Sequence, residues 1–152
     1  AARSATHGKV SVIDTGNVSA GQGLIAMYAA ECAAAGYDAD RIIAATEAIL
    51  PRTRSFGVAG SLEYAVRGGR LPRWVKRVAD ALQLMPVLHN DSKGKVSAGG
   101  VLFGRHDLKS KFARWVRRRM RDDVTYRLIV GHANCEADGQ WLLQERSLPK
   151  VA

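Results

Sequence analysis

The sequence predicts an α/β fold with a mixed, largely antiparallel sheet packed against helices. Three observations carry that reading. Short apolar runs bounded by turn residues alternate along the chain with longer runs of helical period. Two of the short runs, Met85 to His89 and Lys95 to Phe103, are separated only by the polar turn Asn90 to Gly94, the pattern of an antiparallel hairpin. Leu108, Phe112, Trp115, Val116 and Met120 recur at helical spacing, so the basic helix that carries them lays one face on the sheet.

The elements follow in chain order. The stretch KVSVIDTGNVSAGQG, Lys9 to Gly23, reads as a strand, a polar loop and a helix start. Val10, Val12 and Ile13 are the apolar body of the strand, bounded by Gly8 and Asp14. Thr15, Asn17 and Ser19 supply hydroxyls and an amide, while Gly21 and Gly23 permit a tight turn and the close approach of a partner. Leu24 to Ala35 is alanine-rich and readily helical, and Gly36 stops it. Asp38 or Asp40 caps a second helix, Arg41 to Leu50, which ends at Pro51 and carries Ile42, Ile43, Thr46 and Ile49 on one face. Ser55 to Ala59 is a short strand. Ser61 caps the next helix, Glu63 lies in its first turn, and Gly68 and Gly69 end it.

Pro72 fits the first turn of a helix reaching about Leu84, with Trp74, Val75, Val78, Ala79 and Leu82 on its apolar side. Pro86 marks its strand as an edge or a strand start. After the hairpin come the basic helix Leu108 to Met120, a strand Thr125 to Val130, a loop holding His132, and a last helix Glu136 to Glu145. The closing LPKVA resembles the start of another strand. The predicted order is β-α-α-β-α-α-β-β-α-β-α.

The chain has 152 residues, one domain's worth, with residues 1–8 expected as a flexible segment or fragment junction and 9–152 as a single domain. No run of about eighteen apolar residues exists, so no membrane span is expected, and the first residues lack the apolar core of a signal peptide. Cys32 and Cys135 have no CxxC spacing; they support neither a zinc site nor a disulfide framework, and point to a reducing, cytoplasmic setting. Lys plus Arg number 23 against 14 acids, a net charge of +9, which leaves nucleic acid, an anionic small molecule or an acidic protein open as partner.

Among candidate chemical groups His132 stands out, in a loop after a predicted strand and before a helix, where an imidazole can donate to a carboxylate or phosphate oxygen and the helix N-terminus favours an anion. Arg67 and Arg70 bracket Gly68 and Gly69; they read either as an exposed cationic fork or as basic residues that the macrodipole favours at a helix C-terminus. Ser19 and Thr15 have no GxSxG elbow and no base in sequence proximity, so no catalytic residue is assigned. There is no Walker motif and no HExxH, hence no expected metal or cofactor. His89 and His106 read as ordinary strand-end or surface residues. Arg114, Arg117, Arg118 and Arg121 on the basic helix form a solvated face, a docking surface for an acidic protein, or a nucleic-acid contact.

Four stretches in order, VIDTGNVSAGQG, SLEYAVRGGRL, LMPVLHNDSKGKV and the segment of His132 and Ala133, make the chain resemble the C-terminal domain of the DegV family of bacterial fatty-acid-binding proteins. The resemblance implies a non-enzymatic binder of a long-chain fatty acid that presents the carboxylate to a fatty-acid kinase. It implies His132 as a head-group ligand and Arg67 and Arg70 on the surface that meets the kinase; Ser19, Thr15 and Arg70 are expected as further ligand contacts on the reading of the residues themselves. It also implies that the family's N-terminal domain, which supplies other head-group contacts, is missing, and that the chain is truncated at both ends relative to the family. An acyl slot lined by residues such as Leu24, Met27, Val58, Leu82, Val87 and Phe103 would carry the affinity. The alternative is a basic interaction module that binds nucleic acid or an acidic protein through the helix of Arg114 to Arg121.

Overall fold

A computed structural model describes residues 10–90, 94–145 and 148. Residues 1–8, most of the hairpin turn and all but the first residue of LPKVA lie outside the described residues. The described residues divide into two compact units, one of residues 10–55, 90, 94 and 95, the other of residues 56–89, 96–145 and 148.

The first unit is built on two helices, α1 (Ser19–Ala34) and α2 (Ala39–Ile49), which pack on each other and are followed by a single 3₁₀ turn, Leu50–Arg52. The α1 helix starts at Ser19, well before the expected Leu24, so Gly21 and Gly23 are helical and not loop residues. Gly21 is buried where the side chains of Asn17 and Ser55 occupy the place of a Cβ, and close approach, not turning, is its use. Gly36, at φ +82°, ends the helix pair's connection as expected. Asp38, not Asp40, caps α2, its Oδ1 accepting the Arg41 N–H at 2.8 Å. Thr46 is buried, and its hydroxyl donates to the Ile42 carbonyl at 2.7 Å, which satisfies it within its own helix.

The strand expected over Val10, Val12 and Ile13 is not formed: the backbone there is irregular, and Val10 and Val12 are exposed. The same holds for Thr125 to Val130, where Ile129 is exposed. Both runs have strand composition, but a strand exists only where a neighbour takes up its N–H and C=O groups, and neither run is paired in the described sheet.

The second unit holds β1 (Phe56–Val58), α3 (Glu63–Arg67), α4 (Arg73–Ala81), β2 (Leu84–Asn90), β3 (Val96–Phe103), α5 (Leu108–Arg117) and α6 (Glu136–Gln144). The strands form a three-stranded antiparallel sheet in the order β1-β2-β3, with Phe56 opposite His89, Gly57 opposite Leu88 and Val58 opposite Val87. The β2 strand is therefore central and not an edge, one of the two readings of Pro86; the other, a strand start, fits better, since Pro86 is the third residue of β2. The register with β1 stops at Val87, so on that side no ladder bond is asked of the proline.

Met85, Val87 and Leu102 are the buried centre of this unit, with Phe56, Val58, Leu108, Phe112 and Trp115 packed against them. Three of the five residues predicted on the inner face of α5 thus lie where expected. The helix ends at Arg117 rather than Met120. The α4 helix also ends early, at Ala81, because Gln83 adopts φ +51° and turns the chain into β2 at Leu84. Of its predicted apolar face only Ala79 is buried; Trp74, Val78 and Leu82 are 67%, 47% and 61% exposed.

Gly99 and Gly100 were expected only to loosen β3. They also seat two rings. A Cβ on Gly99 would lie 2.7 Å from the His89 imidazole, and one on Gly100 would lie 2.6 Å from Trp115 Nε1. Burial along β3 alternates on Ser97 and Gly99, then slips by one to resume on Leu102, as at a β-bulge. Trp115 also meets Phe56 edge to face, centroids 5.2 Å apart. The substitution Gly100→Ala should therefore displace the indole and cost about 1–3 kcal/mol by overpacking. Denaturant unfolding, together with the near-ultraviolet dichroism of the tryptophans, measures both effects.

Candidate functional site

The stretch that begins at Glu63 is organised by its helix cap. The Arg70 N–H bonds the Ala65 carbonyl at 2.9 Å and the Gly69 N–H bonds that of Val66 at 3.0 Å, with Gly69 at φ +66°: a Schellman motif closing α3. Gly68, Gly69 and Arg70 thus serve the end of a helix, the plainer of the two readings of that sequence. The Arg70 guanidinium folds back over Gly68, with Nη1 2.7 Å from where a Cβ would stand. It is not held out as a rigid fork.

Arg67 takes a different part. Its Nε donates to Glu63 Oε1 at 3.0 Å, and Lys76 reaches Glu63 Oε2 at 3.6 Å and Asp80 Oδ2 at 2.6 Å. Arg105, after β3, completes the string on Asp80 Oδ1 at 2.5 Å. The pairs tie α3, α4 and the turn after β3 together at the surface. The hydrogen bond from Arg67 holds the Glu63 carboxyl below its usual range, the bond from Lys76 does the same for Asp80, and Asp80 in turn holds the Lys76 ammonium above its ordinary value. Two clefts flank the string. One, of about 610 Å³, is lined by Glu63, Val66, Arg67, Arg73, Lys76 and Arg77; the other, of about 430 Å³, by Asp80, Gln83, Arg105 and His106.

His132 lies exposed in the irregular segment before α6, not at the end of a strand. Its ring rests on Gly139, where a Cβ would come within 3.1 Å of Cδ2. The N-terminus of α6 was expected to favour an anion beside the histidine. Instead Glu136 and Asp138 already occupy its first turn, and Lys109 of α5 binds Asp138 at 3.2 Å. Any anion selectivity at this point has to come from the imidazole itself.

Thr15 and Ser19 belong to the first unit. Thr15 is taken up in a polar knot. Its hydroxyl donates to Gln22 Oε1 and accepts the Asn17 N–H at 3.3 Å, while the Asn17 amide donates to the Thr15 carbonyl at 2.9 Å. Ser55 donates to Asn17 Oδ1 at 2.9 Å and Asn90 to the Gly16 carbonyl at 3.0 Å. Ser19, at φ +51° and exposed, keeps a hydroxyl with no partner among the described residues.

The side chains expected to line an acyl slot are spread out. Val58 and Val87 are in the core of the second unit, Leu82 and Phe103 are 61% and 70% exposed there, and Met27 is exposed in the first unit. Neither described cleft is lined by them.

Two arginines of the basic run, Arg117 and Arg121, have acidic partners, while Arg114 and Arg118 form no ion pair among the described residues. Arg117 pairs with Asp122, Arg121 grips Asp123 in a two-pronged contact at 2.9 and 2.5 Å, and Arg119 lies over the Trp115 ring at 3.3 Å. Arginines held by neighbouring acids are poorly placed to neutralise phosphates. Sequence reading passed over two groupings. His89 Nε2 and Ser97 Oγ lie 3.1 Å apart across β2 and β3, and Arg73, Lys76 and Arg77 join Arg67 in one cleft. The second was legible in PRWVKR, whose cations recur at helical spacing. Among the described residues no group of His, Cys, Asp and Glu is placed to hold a metal, and no helix is long and apolar enough to cross a membrane.

The family model described as an uncharacterised protein of the DegV family matches residues 1–147. A DegV domain-containing protein of Caldanaerobacter subterraneus is 32% identical over 83 residues, 55% of this chain and 30% of that protein. The solved structure of a fatty acid binding DegV family protein from Streptococcus agalactiae is 25% identical and superposes with a TM-score of 0.69, covering 88% of this chain and 47% of the other. A structure showing fatty acid binding by a DegV family protein of Thermus thermophilus is 31% identical, with a TM-score of 0.55 over 73% of this chain and 39% of the other. The chain spans about half the length of these proteins, and the matched part covers less than half of each.

The ion-pair string sets a pH dependence. Glu63 and Asp80 titrate lower when folded, so their contribution to stability is present above the unfolded carboxylate range, about 4, and is lost as the pH falls through their lowered values. Asp80→Asn should lower the unfolding midpoint at neutral pH, and the gap from the parent should close as the pH falls below the lowered value of Asp80, where both chains carry neutral groups at this position. Denaturant titrations at the two pH values check this.

Proposed function

The chain belongs to the DegV family, and we propose that it serves a protein that binds a long-chain fatty acid without catalysing a reaction on it. The observation that carries this reading is the match of fold over 88% of the chain to a DegV protein that binds fatty acid. The second such protein, at 31% identity, supports it. The chemistry is consistent with a tail that supplies affinity and a head group that sets direction. Burying an acyl chain gains about 0.8 kcal/mol per methylene, so a sixteen-carbon acid gains roughly 12 kcal/mol before ordering costs. Exposed Leu82 and Phe103 supply apolar surface of the kind such a tail covers.

In this reading His132 is the head-group ligand, since its ring is exposed and has a fixed seat on Gly139. Ser19, with its free hydroxyl, is the better of the two hydroxyl candidates, and Thr15 is the weaker because Gln22 and Asn17 hold it. Arg70 is a further head-group candidate, exposed but folded over its own cap. The bound carboxylate is presented to a fatty-acid kinase across a surface that carries Arg67 and Arg70. The family's N-terminal domain contributes the remaining head-group contacts, and the setting is cytoplasmic.

Native mass spectrometry of the purified chain, alone and joined to a family N-terminal domain, should detect a co-purified acid of fatty-acid mass. His132→Ala should weaken its retention about tenfold, the loss of one hydrogen bond to a charged group. Both proteins emerging empty after incubation with palmitate would overturn the reading. The variant Arg67→Glu should keep the lipid and slow its phosphorylation by the kinase.

A further inference from the structure

The cleft between α3 and α4 carries an electrostatic arrangement that the fold itself does not call for. Four cations, Arg67, Arg73, Lys76 and Arg77, share its lining with one carboxylate, Glu63. Arg67 and Lys76 are satisfied by Glu63 and Asp80. Arg73 and Arg77 are exposed and have no ionic or hydrogen-bonding partner among the described residues. They stand at i and i+4 on α4, where like charges repel by about 0.2–0.5 kcal/mol. Arg73 also lies in the first turn of the helix, where the macrodipole disfavours a cation, and that turn holds no acid. Two unfavourable placements therefore face one cavity of about 610 Å³. Within it the Glu63 carboxylate already shows how an anion is accepted, one oxygen on Arg67 of α3 and the other on Lys76 of α4.

We infer that this cleft is a binding site for a multiply charged phosphate anion, of the class of inorganic pyrophosphate or a small phosphorylated metabolite. Arg73 and Arg77 grip its oxygens as paired guanidinium forks, and Lys76 adds a third cation. A guanidinium suits phosphate oxygens geometrically because its donors are planar and paired. A dianion between the two arginines turns their mutual repulsion into attraction, and it does so without disturbing the Asp80 and Arg105 end of the ion-pair string. Glu63 is the internal competitor: it occupies two of the cleft's cations and repels an incoming anion. The inference does not rest on the lipid reading: of the cleft's cations only Arg67 recurs there, on the surface assigned to the kinase and not to the fatty acid.

The test is an amide-resolved nuclear magnetic resonance titration of the purified chain with inorganic pyrophosphate at low ionic strength. Saturable shifts should concentrate on residues 63–77. The variant Arg73→Gln with Arg77→Gln should weaken binding about tenfold or more, by loss of two charge-assisted contacts. It should also lose the rise in melting temperature that pyrophosphate gives the parent. Glu63→Gln should bind more tightly than the parent. Shifts of equal size around Arg114 and Arg118, unaltered binding by the double variant, or no shift at millimolar pyrophosphate would each overturn the inference.

Discussion

The seat of Trp115 on the sheet is the contact on which the second unit depends. The indole lies on Gly100, meets Phe56 edge to face, and is covered from outside by the Arg119 guanidinium. Each partner comes from a different part of the chain: β1, β3 and the residues just past α5. Strand β1 is only three residues long and could not hold its place by backbone pairing alone. The aromatic contact brings it under the helix, and the missing side chain at Gly100 lets the helix come close enough to make that contact. The neighbouring glycine does the same for His89, whose ring takes the space over Gly99 and reaches Ser97. A pair of glycines that weakens a strand by propensity is here the condition for packing a helix on it.

Outside that core the second unit is held by charge. Its helices α3 and α4 bury little: α3 has no buried residue beyond its cap Leu62 and α4 only Ala79, while Tyr64, Trp74, Val78 and the α4 cap Leu82 remain exposed. The string from Arg67 through Glu63, Lys76 and Asp80 to Arg105 gives them mutual orientation at the surface. Exposed pairs of this kind contribute little singly and more when linked, because each ion then orders two neighbours at once. Specific placement, more than stability, is what such a string adds to two short helices.

How legible all this was in the sequence depended on how local each cause is. The caps could be read directly. Asp38 closes on Arg41 and Gly69 turns left-handed, because each is settled within a few residues; the cap expected at Ser61 falls one residue on, at Leu62, with Ser61 accepting the Glu63 N–H from just outside the helix. The hairpin and the inner face of α5 could be read from periodicity, since one face of each is buried by the other. Val10 to Ile13 and Thr125 to Val130 could not, because strand composition says nothing about whether a neighbour will pair. The stripe of Trp74, Val78 and Leu82 has the spacing of a buried face, but spacing does not supply the surface that would bury it. The cleft of cations escaped notice for a related reason. Its members come from two helices, and Arg67 was weighed with its sequence neighbour Arg70, while the structure sets it beside Lys76 through Glu63.

The two candidate anion positions of the second unit solve the same problem in opposite ways. At His132 the nearby helix start is already occupied by Glu136 and Asp138, with Lys109 balancing the latter. The imidazole there meets a carboxylate with no surplus of positive charge behind it. Such a contact can orient a head group but adds little to its affinity, which suits a ligand whose apolar tail supplies the binding energy. At the α3–α4 cleft the balance is reversed. Surplus guanidinium charge is present, and the lining offers only Val66 as apolar surface, so an occupant has to be held by charge and will be released by salt. On the two proposals a singly charged lipid acid takes the first position, where its tail offsets the repulsion of Glu136 and Asp138, and a phosphate anion, which has more charge and no tail, takes the second.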